Sequence, residues 1–218
     1  RFYGTVVNLA IANDWMHKNP FAGIRFQEKE VIREVLTKEE IERMMCKEFA
    51  LPRLEYVRDV FIFCVFTGMA YVDVNNLRQE HIVRDNNDDL WIRKARQKTN
   101  NMCNIPLLKI PQLLMEKYKN HPLCTKTGAL LPVPSNQKMN SYLKEIADFC
   151  GIQKNLTTHT ARHTFATVVA LANGVSMENI AKMLGHSDIR MTQRYAKVMD
   201  SSIMRDMENV DKLFKSSE

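Results

Sequence analysis

The chain has few of the devices that hold small secreted or membrane-bound proteins together. Its 218 residues include five cysteines, an odd number, with no C-x-x-C pair. Neither a disulfide framework nor a paired-cysteine metal or redox motif is therefore written into it, and free thiols in a reducing cytoplasm are expected. Cys64 sits inside VFIFCVF and reads as a small core residue. No cysteine is paired by pattern with a histidine, so a thiol nucleophile is not expected. No apolar run approaches the roughly 18 residues that span a bilayer, and no basic-then-apolar leader opens the chain. Because Arg1 rather than a methionine stands first, the chain is expected to be a piece of a longer protein. Glycine and proline number seven each, which excludes collagenous or low-complexity character. A carboxylate cluster suited to magnesium is also missing.

What is present is a globular composition, 45 % apolar, with a net charge of +6 that favours a polyanionic partner. Val6, Val7, Ala10 and Ile11 predict a short helix over 3–16, closed by Asn19-Pro20. FQEKEVIREVL, residues 26–36, is charged and reads as a linker or arm. Thr37 caps the next helix with Glu40 completing a capping box and Leu36 stapled to Ile41, so a domain starts there. A second helix, about 53–67, is apolar on more than one face and should be central. Short strands are predicted at His81–Val83, Leu90–Ile92 and Met102–Pro106, with DNNDD turning the first pair and a basic connection, Arg96–Asn101, turning the second. Arg93, Lys94, Arg96 and Lys98 are four basic residues within six, suited to phosphate contacts. A helix from Ile110 to Lys119, a loop over 121–134 and a Ser135-capped helix to Cys150 follow. At the far end Ile203, Met207, Val210 and Phe214 form a helical stripe over 201–214.

Residues 157–197, TTHTARHTFATVVALANGVSMENIAKMLGHSDIRMTQRYAK, carry the chemistry. Helical spacing of Phe165, Val168, Val169 and Ala172 predicts a helix over 160–173, with His159 and Arg162 on one face of its N-terminal end. Asn173-Gly174 stops it, Ser176 caps the next helix, and Gly185 ends that one and hands the chain to His186. Tyr195 stands nine residues beyond His186. A guanidinium, two imidazoles and a phenol gathered there suit an anionic phosphate, with the phenol as nucleophile. Two other readings exist. His159 and His163 have a zinc-protease spacing, but the glutamate of H-E-x-x-H is absent, and no metal is expected. The segment from Ser176 to Val198 also scans as a helix-turn-helix with a recognition helix at 188–196.

His159-x-x-Arg162, Leu184-Gly185-His186 and Tyr195 together closely resemble the signature of tyrosine recombinases, the phage integrase family. FTGMAYVDVNNLRQEHI, residues 66–82, is similar to the segment that opens the family's catalytic domain: Thr67, Gly68 and Leu77 match, and Asp73 takes the acidic position. Ala70 stands where most members carry a phosphate-clamping arginine. That departure resembles integrases of conjugative transposons. Lys98-Thr99 before a strand ending in Pro106 resembles the family's catalytic-lysine hairpin, and DWMHKNPFAGI resembles the close of its core-binding domain.

The resemblance implies a mainly α fold with a small antiparallel β-sheet (α+β). It also implies residues 1–25 as the end of a core-binding domain, 26–36 as a linker and 37–218 as a catalytic domain with a tail helix. Strand cleavage and rejoining through a 3′-phosphotyrosyl link, without cofactor, would be its reaction. Tyr195 would be the nucleophile, Arg162 the clamp, Lys98 the donor to the leaving group, His159 a proton-transfer aid, and His186 a phosphate hydrogen-bond donor. Asp73 and His163 would support them, and Arg93, Lys94 and Arg96 would contact DNA. Arg96 is the first candidate to replace the arginine missing at Ala70, with Arg78 second. The implied partners are double-stranded DNA at attachment sites and further copies of the chain, four on DNA and one alone, with no membrane. The alternatives are a regulator that binds DNA through the helix-turn-helix, or a degenerate recombinase that binds without cutting.

Overall fold

The computed structural model describes residues 2–24 and 34–196, in two compact units that divide at residue 32. In the first unit, α1 runs over Phe2–Ala12 and stops before the expected end near residue 16. Asn13 turns its side-chain amide back to the Leu9 carbonyl at 2.8 Å, and Asp14 takes a left-handed φ of 56°. Most of the expected linker lies outside the described residues.

The second unit is built on a helix buried all round. Thr37 and Glu40 form the expected capping box at the start of α2, Lys38–Cys46, with Leu36 and Ile41 both buried. α3, Pro52–Thr67, follows, and Val57, Val60, Phe61, Phe63, Cys64 and Val65 are all fully buried, although they point in every direction around the axis. A helix apolar on all sides is stable only inside a core. Around it pack α2, α5 (Lys109–Tyr118), α7 (Asn136–Phe149) and α8 (Thr158–Thr164). Beside α2 a buried charge network forms: Arg58 donates to the Met44, Met45 and Lys47 carbonyls at the end of α2, while Asp59 accepts from Tyr118 Oη and Lys117 Nζ, each at 2.7 Å.

Three antiparallel strands in the order β1-β2-β3 lie to one side: β1 Ile82–Arg84, β2 Leu90–Ala95 and β3 Met102–Pro106. Ile82 faces Ile92, and Ile92 faces Ile105. Asp85 holds the first turn by accepting from the Asn87 and Asp89 amides and the Trp91 indole. The fold is thus mainly helical with a small antiparallel sheet, as expected. Two local expectations fail. The loop expected over 121–134 contains α6, Pro122–Thr127, because the His121 ring caps the Leu123 amide, Pro122 sits at the first turn and Gly128 closes it at φ 69°. After α8 the helix continues to Asn173, but Phe165–Ala170 is wound as a π-helix and Leu171–Asn173 as a 3-10 turn. α4 (Tyr71–Asn75), α9 (Met177–Leu184, capped by Ser176) and α10 (Arg190–Ala196) complete the described chain. No described helix is long and apolar enough to cross a membrane.

Candidate active site

Arg162 is the centre of the site, and the fold holds it with carbonyls. The residue is 5 % exposed. Its Nη1 donates to Gly68 O at 2.6 Å, just beyond the end of α3, and its Nη2 donates to Leu184 O at 2.7 Å, at the end of α9. Both acceptors belong to helix C-termini, where unpaired carbonyls concentrate negative charge, so a buried cation is compensated there without a carboxylate partner. Burial first, then Arg96, lowers the Arg162 pKa, while Tyr195, Cys103 and Asp73 oppose the shift. The close packing needs glycine at Gly68. Its φ is +67°, and a Cβ there would stand 2.4 Å from the Phe165 ring and 2.7 Å from Leu184.

Gly185 does the same for His186. At φ +59° it closes α9 with the His186 amide bonded to Ala181 O and its own amide to Lys182 O, a Schellman motif. The imidazole then lies with Nε2 3.2 Å from Arg162 Nη2 and Nδ1 2.8 Å from the Thr192 hydroxyl. Burial, then the Arg162 and Arg96 charges, lower the His186 pKa to about 4, so the ring is neutral near pH 7. Tyr195, half-buried on α10, stacks on His186 with ring centroids 6.4 Å apart at 10°, and its ring centroid lies 5.4 Å from that of His163. His163 is buried on α8 and stacks on the exposed His159 at 6.1 Å. Of the four residues expected from spacing, Arg162, His186 and Tyr195 are brought together, and His159 adjoins them at the rim; His163, expected as a supporting residue, packs against the Tyr195 ring.

The β2–β3 hairpin forms the opposite wall. Arg96 is turned inward, its side chain 11 % exposed, with Nε 3.8 Å from Asp73 Oδ2. That Nε is buried and makes no hydrogen bond among the described residues. The Arg96 chain and the Cys103 thiol pack where a Cβ on Gly185 would be, at 2.7 and 2.8 Å. Asp73, 6 % exposed, accepts from the Gln97 amide at 2.9 Å and so anchors the hairpin turn. Asn101 ties the same turn to Gly185 O at 3.2 Å. Lys98 is exposed within the turn over 97–99, not on an extended strand beside Arg96. The expectation that Arg96 and Lys98 share one strand face is corrected: the chain reverses through Asn100, at φ 56°, before a second strand residue can form. Arg78, the second candidate to replace the missing arginine, folds back onto the Asn75 and Leu77 carbonyls at 3.0 Å each. Ala70 precedes α4, and Tyr71 donates to Pro134 O at 2.7 Å, a packing contact. Arg93 is exposed, whereas Lys94 is half-buried, its Nζ 3.0 Å from His81 Nε2.

Sequence comparison gives this arrangement its relatives. A family model described as the phage integrase family matches residues 34–202, well over half of the chain. The chain belongs to that family. Tyrosine recombinase XerD of Staphylococcus saprophyticus is 40 % identical over 95 residues, which cover 44 % of this chain and 31 % of that protein. Tyrosine recombinase XerD of Staphylococcus aureus is 42 % identical over 71 residues, 33 % of this chain and 24 % of that protein. The matches thus span less than a third of the curated relatives' length. Among solved structures, a lambda integrase dimer bound to a COC′ core site superposes with a TM-score of 0.66 at 19 % identity, covering 86 % of this chain and 68 % of that one. The Tn1549 transposon integrase in complex with a circular intermediate DNA superposes with a TM-score of 0.65 at 18 % identity, covering 93 % and 74 %. At such identities these structures show that the fold is shared.

Within this integrase fold, three features escaped the sequence. The carbonyls that hold Arg162 carry no side-chain signal. Lys94 lines a small cavity together with Asp73, Cys103 and Arg162 rather than only an outer DNA face; its alternation with buried Ile92 and with Arg96 was the available clue. Thr192, 1 % exposed, lies three residues before Tyr195 and so on its side of α10.

Proposed function

We propose that the protein cuts and rejoins DNA strands at specific sites through a covalent tyrosine intermediate. The observation that carries this reading is the placement of the Tyr195 ring against His163 and His186, beside the Arg162 guanidinium held by Gly68 and Leu184. In this reading the Tyr195 oxygen attacks the scissile phosphorus, the phosphorus–5′-oxygen bond breaks, and a 3′-phosphotyrosyl link conserves the bond. A phenol with a pKa near 10 is mostly protonated at neutral pH, so His159, at the rim, assists removal of its proton. Arg162 and Arg96 hold the non-bridging oxygens, Lys98 protonates the leaving oxygen, and His186 donates to the phosphate. Asp73 positions the hairpin through the Gln97 amide, and His163 supports the Tyr195 ring. Arg93 and Lys94 contact the DNA backbone. The reaction takes no cofactor or metal. Attack by a partner strand's 5′-hydroxyl reverses it, with four copies on paired attachment sites and one copy free. The sequences named among the relatives are bacterial, which supports a cytoplasmic setting on chromosomal DNA.

The test is to incubate the full-length protein with candidate attachment-site DNA nicked near the cleavage point, then denature. A protein–DNA band should survive. Tyr195→Phe, which removes one hydroxyl, should lose the band while binding the same DNA. An adduct that persists in Tyr195→Phe would move the nucleophile elsewhere and overturn the assignment.

A further inference from the structure

Thr192 has no role in the proposed chemistry, yet it is almost wholly buried and its hydroxyl lies 2.8 Å from His186 Nδ1. The other ring nitrogen faces Arg162 Nη2 at 3.2 Å. A guanidinium nitrogen can only donate, so Nε2 must accept. The neutral ring carries one proton, which therefore sits on Nδ1 and is donated to Thr192 Oγ1. That tautomer is the wrong one for donating to a phosphate. Once a phosphate oxygen takes the Nη2 hydrogen from His186, a ring that stays neutral can donate from Nε2 only if Nδ1 becomes an acceptor. Its partner must then donate where it previously accepted. A hydroxyl does both by rotating; a carbonyl, an amide N–H or a methyl group does not.

We infer that Thr192 is a positioning residue for His186, holding its ring and allowing it to exchange tautomers as the scissile phosphate enters. The inference rests on the phosphoryl-transfer reading above. The proton count is unchanged in the exchange: one proton leaves Nδ1 to solvent and one arrives at Nε2, while the Thr192 O–H turns to donate to Nδ1. Because Thr192 and Tyr195 share α10, the same hydrogen bond fixes the nucleophile's helix against the His186 turn. Phosphate entry is thereby felt on the element that carries the phenol.

The test uses the full-length protein with Thr192→Val, which keeps the shape and removes the hydroxyl, and Thr192→Ser, which keeps the hydroxyl. Single-turnover cleavage of nicked DNA at saturating protein should fall about ten- to a hundredfold in the Val variant, the range seen when hydrogen-bond partners that orient functional imidazoles are removed elsewhere. DNA affinity should not change, and the Ser variant should stay within about threefold of the parent. Separately, nitrogen NMR of protein labelled in histidine should show His186 protonated on Nδ1 without DNA and on Nε2 with uncleaved DNA bound to Tyr195→Phe. Cleavage by Thr192→Val at the parent rate, Thr192→Ser as weak as Thr192→Val, or an unchanged tautomer on binding DNA would each overturn the inference. If the parent protein makes no covalent adduct, the recombinase reading fails, and the NMR arm still decides the pairing of Thr192 with His186.

Discussion

At the scale of single residues, the position that departs from the family resemblance is Ala70, and Arg96 is the residue proposed to act where an arginine is missing. Arg96 enters the site from the hairpin, within electrostatic reach of Arg162 and His186, and keeps a buried Nε with no hydrogen bond among the described residues. If it clamps the phosphate, Arg96→Ala should lower single-turnover cleavage by on the order of 10²–10³, the loss that follows removal of a transition-state donor, and far more than it lowers DNA affinity. Ala70→Arg should restore part of that loss. A variant that only binds DNA more weakly, and cleaves normally when saturated, would show Arg96 to be a flanking contact. His186 makes a second prediction, about pH. Its pKa lies near 4 in the fold, against 6.5 ordinarily. The unfolded chain therefore binds more protons between those values, and stability falls as pH is lowered from about 6.5 towards 4. Melting temperatures over that window should decline more steeply for the parent than for His186→Gln; parallel curves would mean that the ring is not held neutral. His186 was legible in the sequence because its place follows from spacing; Arg96 was named on a strand face shared with Lys98, which the turn over 97–99 replaces. The carbonyls of Gly68 and Leu184 were not legible, since any residue supplies a carbonyl and only the fold aims it.

Elements were legible where a cap announced them and illegible where side chains acted out of type. Thr37, Ser135 and Ser176 each accept from an amide in the first helical turn, as their sequence context indicated. α6 was hidden because a histidine ring does the capping. The π-wound stretch after α8 was hidden because the apolar spacing of Phe165, Val168 and Val169 suits an ordinary helix equally well. The junction of α2 with α3 rests on a similar unannounced device: Arg58, 8 % exposed, reaches back from α3 to three carbonyls at the end of α2. Arg58→Met keeps most of the volume but leaves those carbonyls without their donor, while Asp59 keeps Lys117 and Tyr118. Leaving buried acceptors unsatisfied costs about 1–3 kcal/mol. Urea unfolding of the variant should show a drop of that size with an unchanged slope, and cleavage by the remaining folded protein should be normal, because Arg58 lies nearly three turns of α3, roughly 15 Å, before Gly68. A stability change below about 1 kcal/mol would mean that water replaces the guanidinium at little cost.

For the whole molecule, the described residues bring Arg162, His163, His186 and Tyr195 together on one chain, so the strand cleavage proposed above is expected to need no residue from a neighbour. The proposed exchange between two DNA sites would need several copies held together, and the stretch expected from sequence to serve it, 201–214, lies outside the described residues. Ile203, Met207, Val210 and Phe214 fall at i, i+4, i+7 and i+11, a spacing that gathers all four on one side if the segment is helical. Such a stripe requires a surface to cover it. Covering in cis would make it part of the catalytic unit's core, and covering by a neighbour would make it an assembly element. The two cases separate cleanly in a truncation that ends after Asp200. If the stripe docks on another copy, the truncated full-length protein should keep its melting temperature, bind a single site and still form the Tyr195 adduct on nicked DNA, yet lose recombination between two sites by at least tenfold. If the stripe packs in cis, melting temperature and adduct formation should fall together. Normal recombination by the truncated protein would leave the stripe without either role.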